Sequence, residues 1–169
     1  MTPLAHSTHT ISLNLHNRPG VLNRVALVFA RRGWNIDGLA VSEAHDGRFA
    51  RCTISARGDV RTLHVIMAQL QKLVDVLSAS EHSEQDSIGV ELALIKVNVQ
   101  DDNRSLDVTQ IPSSVTCTIV DDGPTTMTAQ VVGPPEDVEA AHRALDASHG
   151  VLEIVRTGAV RMARGAAAT

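Results

Sequence analysis

Two asparagines, a glycine and a short apolar run carry most of the chemistry in this sequence. Asn17-Arg18-Pro19-Gly20 is a turn sequence, and Val21, Leu22, Val25, Ala26, Val28 and Phe29 follow it at a spacing that predicts a helix over 20–32. Gly33 supplies the left-handed residue that closes such a helix, and Trp34-Asn35-Ile36 opens an extended run. The first N–H groups of that helix, around Gly20, Val21 and Leu22, have no intrahelical partners, so a carboxylate there would gain hydrogen bonds and a favourable dipole interaction. Gly20 lets a ligand approach the backbone closely. Asn17 and Asn35 carry amides that both donate and accept, which suits the ammonium and carboxylate of an amino acid. The plainer alternative stays open on the local residues alone: Asn17 only makes the turn and Asn35 only starts a strand.

The flanking elements would position these groups. Residues 1–7 read as a loose leader, after which Ile11, Leu13 and Leu15 alternate with polar residues, the pattern of a half-buried strand. A second strand is expected over 35–44, with Leu39 and Val41 on one side and the small residues Gly38, Ala40 and Ser42 on the other, a face that would admit close packing by another chain. Asp46-Gly47 is a hairpin signal, and a return strand over 49–56 follows. Gly58-Asp59 caps a second helix carrying Leu63, Ile66, Leu70 and Leu73, and a fourth strand is expected over 74–80. The order is βαββαβ, an antiparallel sheet with two helices on one face. A sheet covered on one side only, with open edges, is expected to dimerise.

The polar run 81–87 reads as a linker. Beyond it, 88–169 reads as a second, diverged α+β unit. It has strands over 88–99, 115–120 and 127–132, a helix introduced by Pro134-Pro135 with a stripe of Val138, Ala141 and Leu145, and a strand over 151–156. Asp101 to Arg104 breaks the first of these strands. Only 105–111 offers room for a helix before Pro112, so part of this sheet is expected to lack cover. Arg156, Arg161 and Arg164 would then offer charge-assisted contacts at the rim of the exposed surface, while 166–169 reads as a frayed end.

Composition narrows the function classes. A chain of 169 residues with 43% hydrophobic content has enough apolar material for ordinary cores, one domain or two small ones. A net charge of -4 and 2% aromatic residues argue against nucleic-acid binding. No apolar run approaches the ~20 residues needed to cross a bilayer, and a cytoplasmic location is expected. Cys52 and Cys117 fall in strand-like runs and read as buried thiols rather than a disulfide or metal pair. The eight histidines show no metal-ligand spacing and read as solvated surface residues. No nucleophile sits beside a paired base, and there is no Gly-rich phosphate loop, which argues against an independent enzyme.

The run 11–37, the stretch Gln71 to Leu77 and the ending Arg156-Thr157-Gly158-Ala159-Val160 together resemble the regulatory (small) subunit of acetolactate synthase, whose N-terminal half is an ACT domain. The resemblance covers nearly the whole chain and is loose over 100–128. It implies two ferredoxin-like units: an effector-binding, dimerising ACT domain over 1–80 and a unit over 88–169 that contacts the catalytic subunit. It also implies a chain without activity or cofactors of its own, which activates an acetolactate synthase catalytic subunit using thiamine diphosphate, Mg and FAD and transmits feedback inhibition by valine or a related branched-chain amino acid. Carried over by position, Asn17, Gly20, Val21, Leu22, Asn35 and Ile36 match the family's amino-acid site. Asn23 replaces a small hydroxyl residue, Trp34 the usual Tyr, and Asp37-Gly38 the usual Glu-Ser. A free-standing ACT sensor acting on another enzyme or a transcription factor is the alternative, and the matching C-terminal ending argues against it.

Overall fold

The computed structural model describes residues 7–83, 85–99 and 105–165. Residues 1–6 of the expected leader, the break at 101–104 and the end at 166–169 lie outside the described residues, while Ser7, expected in the leader, is already strand. The chain divides into two compact units, one running to Ile88 and including the tail from Ala159, the other Gly89–Gly158.

In the first unit β1 (Ser7–His16), α1 (Val21–Ala30), β2 (Ile36–Glu43), β3 (Phe49–Gly58), α2 (Val60–Leu70) and β4 (Val76–His82) follow the expected βαββαβ order. The sheet is antiparallel, in the order β2-β3-β1-β4. Alternation puts Ile11, Leu13 and Leu15 of β1 on the same face as Cys52, Ile54 and Ala56 of β3, and this face packs against Val21, Val25, Val28 and Phe29 of α1 and Leu63, Ile66 and Leu70 of α2. Each large side chain buried there contributes about 1.5–3 kcal/mol. The Asp59 carboxylate accepts from Thr62 N at 2.9 Å and starts α2, the cap read in the sequence. Burial pushes the Cys52 thiol up to about 12, and Cys117 is half-buried; both are free.

The fourth strand begins two residues later than expected. Val74 is 93% exposed and sits in the turn after α2, where Leu73 N bonds Leu70 O and Val76 N bonds Leu73 O. The strand then extends to His82, so the first two residues of the expected linker are sheet. His9 also departs from a solvated histidine. It is 7% exposed, its ring lies 5.8 Å from that of Trp34, and its Nδ1 is 2.9 Å from Glu81 Oε1.

The second unit is built on β5 (Ser87–Asn98), which begins just before the boundary, β6 (Thr116–Asp122), β7 (Thr126–Gly133), α3 (Pro135–His149) and β8 (Val151–Arg156), in the sheet order β6-β7-β5-β8; the short β9 (Val160–Ala163) lies in the tail that groups with the first unit. Ala93, Ile95, Val97, Met127, Ala129 and Val131 pack under Val138, Ala141 and Leu145 of α3. No helix forms over 105–115. Leu106, Ile111 and Val115 pack irregularly against this core instead, which fills the gap the sequence left open. Glu91, 5% exposed, is held by the Arg156 fork at 2.7 and 3.0 Å, and Arg156 also reaches Glu139 at 2.7 Å. Arg156 is therefore committed inside the unit rather than free at a rim. The opposite face of the sheet pairs Leu94 with Val155, 39% and 56% exposed.

Candidate functional site

The site residues fall at two ends of one sheet. Asn17 follows β1, its N–H donating to Arg48 O at 2.8 Å and its Nδ2 donating to Gly47 O at 3.1 Å and to Glu43 Oε1 at 3.4 Å. The amide N–H2 thus pins the β2–β3 hairpin, a role the sequence did not suggest, and the carboxamide oxygen accepts no hydrogen bond among the described residues.

Gly20 is the N-cap of α1 in the left-handed region, φ 82°, and no side chain caps the helix. No acidic residue lies in its first turn. The Val21 N–H donates to Arg18 O at 3.3 Å, and with no capping side chain and no acid in its first turn the rest of the helix start keeps a positive end that favours an anion. Val21 is buried and points into the core, whereas Leu22 is 41% exposed beside the open helix start. Arg24 pairs with Asp75, so its charge is already partnered.

Asn35 and Ile36 stand at the other end of β2. Ile36 lies opposite Ala56, while Glu43 lies opposite Ala50, and the seven steps between them span about 23 Å at strand rise. One chain therefore does not bring Asn17 to Gly20 together with Asn35 and Ile36. Asn35 Nδ2 donates to Asp37 Oδ1 at 3.2 Å, and Arg57 Nε donates to Asp37 Oδ2 at 3.0 Å. The Arg57 hydrogen bond holds the Asp37 carboxyl below its usual range, against a smaller desolvation effect. With one N–H of its amide donated to Asp37, Asn35 keeps a second N–H and an acceptor oxygen.

Sequence reasoning missed Glu43, Gly47 and Arg57 as partners of this site. The Asp-Gly hairpin signal located Gly47 but could not show that Asn17 closes on it. Among the described residues, no group of three or more His, Cys, Asp or Glu could hold a metal ion, and no helix is long and apolar enough to cross a membrane.

Comparison with known proteins matches both halves. Residues 11–78 fit the family described as an AHAS small subunit-like ACT domain, and residues 90–165 the family described as the small subunit of acetolactate synthase. A probable acetolactate synthase small subunit of Methanothermobacter thermautotrophicus is 36% identical over 165 residues, 98% of each chain. The acetolactate synthase small subunit of Mycolicibacterium smegmatis is 36% identical over 158 residues, 94% of this chain and 92% of that one. The crystal structure of the acetolactate synthase small subunit from Thermotoga maritima matches with a TM-score of 0.79 at 32% identity, covering 95% of this chain and 99% of that one.

Proposed function

The chain belongs to the acetolactate synthase small-subunit family, and from that membership we propose that it activates a thiamine-diphosphate-dependent catalytic subunit and transmits feedback inhibition by valine or a related branched-chain amino acid. It is a small subunit of that synthase rather than its catalytic chain. The match over 90–165 counts against a free-standing sensor, which would need only the first unit.

One observation carries the effector reading: the two halves of the site sit at opposite ends of β2, and β2 is an edge strand. Pairing of β2 with β2 of a second copy about a two-fold axis would run antiparallel, so the start of one strand would lie beside the end of the other. Asn35 and Ile36 of one copy would then face the Asn17 to Gly20 loop of its mate. Leu39 and Val41, 46% and 43% exposed at this edge, would gain cover in the same step. Within such a site the ligand carboxylate would take the N–H groups of Gly20 and Leu22 at the start of α1, since the Val21 N–H already donates to Arg18 O. Its ammonium would meet the carboxamide oxygens of Asn17 and Asn35, and Leu22 and Ile36 would enclose a branched aliphatic side chain.

The second unit would supply the surface for the catalytic subunit, with Leu94 and Val155 side by side on its uncovered sheet face. Calorimetric titration with valine at protein concentrations spanning dimer dissociation tests the shared site. Affinity should fall as the dimer dissociates, and full-strength binding by a demonstrated monomer would contradict it.

A further inference from the structure

A separate patch in the first unit gathers buried polar atoms, three of them guanidinium donors, that have no hydrogen-bond partner. On the sheet face away from α1 and α2, register places Thr10 opposite Ser55 and His82, Ser12 opposite Thr53 and Ser80, and Asn14 opposite Arg51 and Ser78. Ser12 therefore sits between Arg51, one diagonal step away on β3, and His82, one diagonal step away on β4. Although these rows are polar, their centre is covered, with Thr10, Ser12 and Thr53 buried, while the row of Asn14, Arg51 and Ser78 runs out to an exposed Ser78. Arg161 of β9 reaches the same patch and donates through Nη1 to Ser87 Oγ at 3.2 Å. Burial, and then the charges of Arg161 and Arg51, hold the His82 imidazole below its usual pKa, which places both guanidiniums close to that ring.

The Oγ of Ser12, the Nε and Nη2 of Arg51, the Nε2 of His82 and the Nε of Arg161 are all buried without a hydrogen-bond partner. Among the described residues, the buried side-chain atoms left in this state all belong to these four residues. Native interiors seldom leave such groups unpaired, and a cluster of them with one sign of charge marks the place of an absent acceptor. The three rows contain no Asp or Glu to fill that role. Two guanidiniums with unpaired N–H groups beside one imidazole suit an oxyanion, which offers several acceptor oxygens at once, better than a spherical halide.

We propose that Arg51, Arg161, His82 and Ser12 form a binding site for a small oxyanion such as phosphate or sulfate, distinct from the amino-acid site at the ends of β2. The two arginines grip the anion, and the Ser12 hydroxyl and His82 ring complete its hydrogen bonds from the sheet.

The test is calorimetry on the full chain in phosphate-free buffer, titrated with sodium phosphate or sodium sulfate, with sodium chloride at matched ionic strength as the control. Saturable uptake of a single anion per chain is expected, weakened tenfold or more by Arg51→Gln and by Arg161→Gln. If a Gln variant does not fold, Arg51→Lys keeps the charge but loses the fork and should show the same loss, while in the unaltered chain the His82 ring resonances should shift on addition of phosphate. Glycerol 3-phosphate separates two sources: binding tenfold weaker than phosphate marks an enclosed site for the free anion, and equal binding marks a site open to a phosphoryl group on a larger molecule. Binding that chloride reproduces, that does not saturate, or that survives both arginine substitutions at full strength overturns the proposal.

Discussion

Gly20 holds a left-handed backbone, φ 82°, and its substitutions must be compared at equal conformational cost. Asn and Asp both tolerate that region better than other side chains, so Gly20→Asn and Gly20→Asp should lose similar stability. Only Asp places a fixed negative charge at the helix start proposed to take the effector carboxylate. Gly20→Asp should abolish valine inhibition and leave activation intact, with Gly20→Asn much less affected, as read from inhibition curves. Loss of activation with inhibition unchanged would mean that the loop is a docking surface. Asn17→Ala removes a hydrogen bond to a charged ligand, worth about 1.5–3 kcal/mol, and should weaken valine binding in calorimetry accordingly. It also frees Gly47 O, so the hairpin should be checked by its amide exchange. A different residue tests the core: a Cβ at Gly58 would fall 2.0 Å from Trp34 Cζ2, and Trp34 is held between the core and His9. Gly58→Ala should cost about 1–3 kcal/mol by denaturant unfolding, and its effect is visible in the fluorescence of Trp34, the single tryptophan.

At the scale of elements, β2 decides whether a complete site exists. Leu39→Lys with Val41→Lys should weaken self-association tenfold or more in sedimentation while leaving the circular dichroism unchanged, because both side chains are nearly half exposed in the single chain and a lysine stem can replace their buried part. An unchanged dimer would remove the edge-to-edge account. The strands and helices of the first unit were legible because Ile11, Leu13 and Leu15, or Leu63, Ile66 and Leu70, repeat with the period of the element that buries them. The start of β4 was not, since Val74 is as apolar as Val76 and only the turn after α2 tells them apart. His9 was equally opaque: its burial comes from Trp34 and from Glu81, 72 residues away. The candidate site was legible as residue types at loop ends. That its halves flank opposite ends of β2, a strand spanning about 23 Å from Ile36 to Glu43, follows only from strand register.

At the scale of the molecule, the polar run after β4 does not divide the chain as simply as its composition suggests. The tail from Ala159 groups with the first unit, and Arg164 N donates to Asp86 O at 2.8 Å. A fragment ending at Ser80 would therefore lose both the last residues of β4 and the tail, so roles are better separated by point substitution than by truncation. The measurement that tests the central claim is reconstitution. Acetolactate formation by the catalytic subunit from the same source is followed as the full chain is added, with and without valine. The account predicts that the rate rises to a plateau with added chain, that valine lowers this raised rate, and that Gly20→Asp keeps the rise while losing the valine effect. A catalytic subunit whose rate is unchanged by a saturating amount of the folded chain would contradict it.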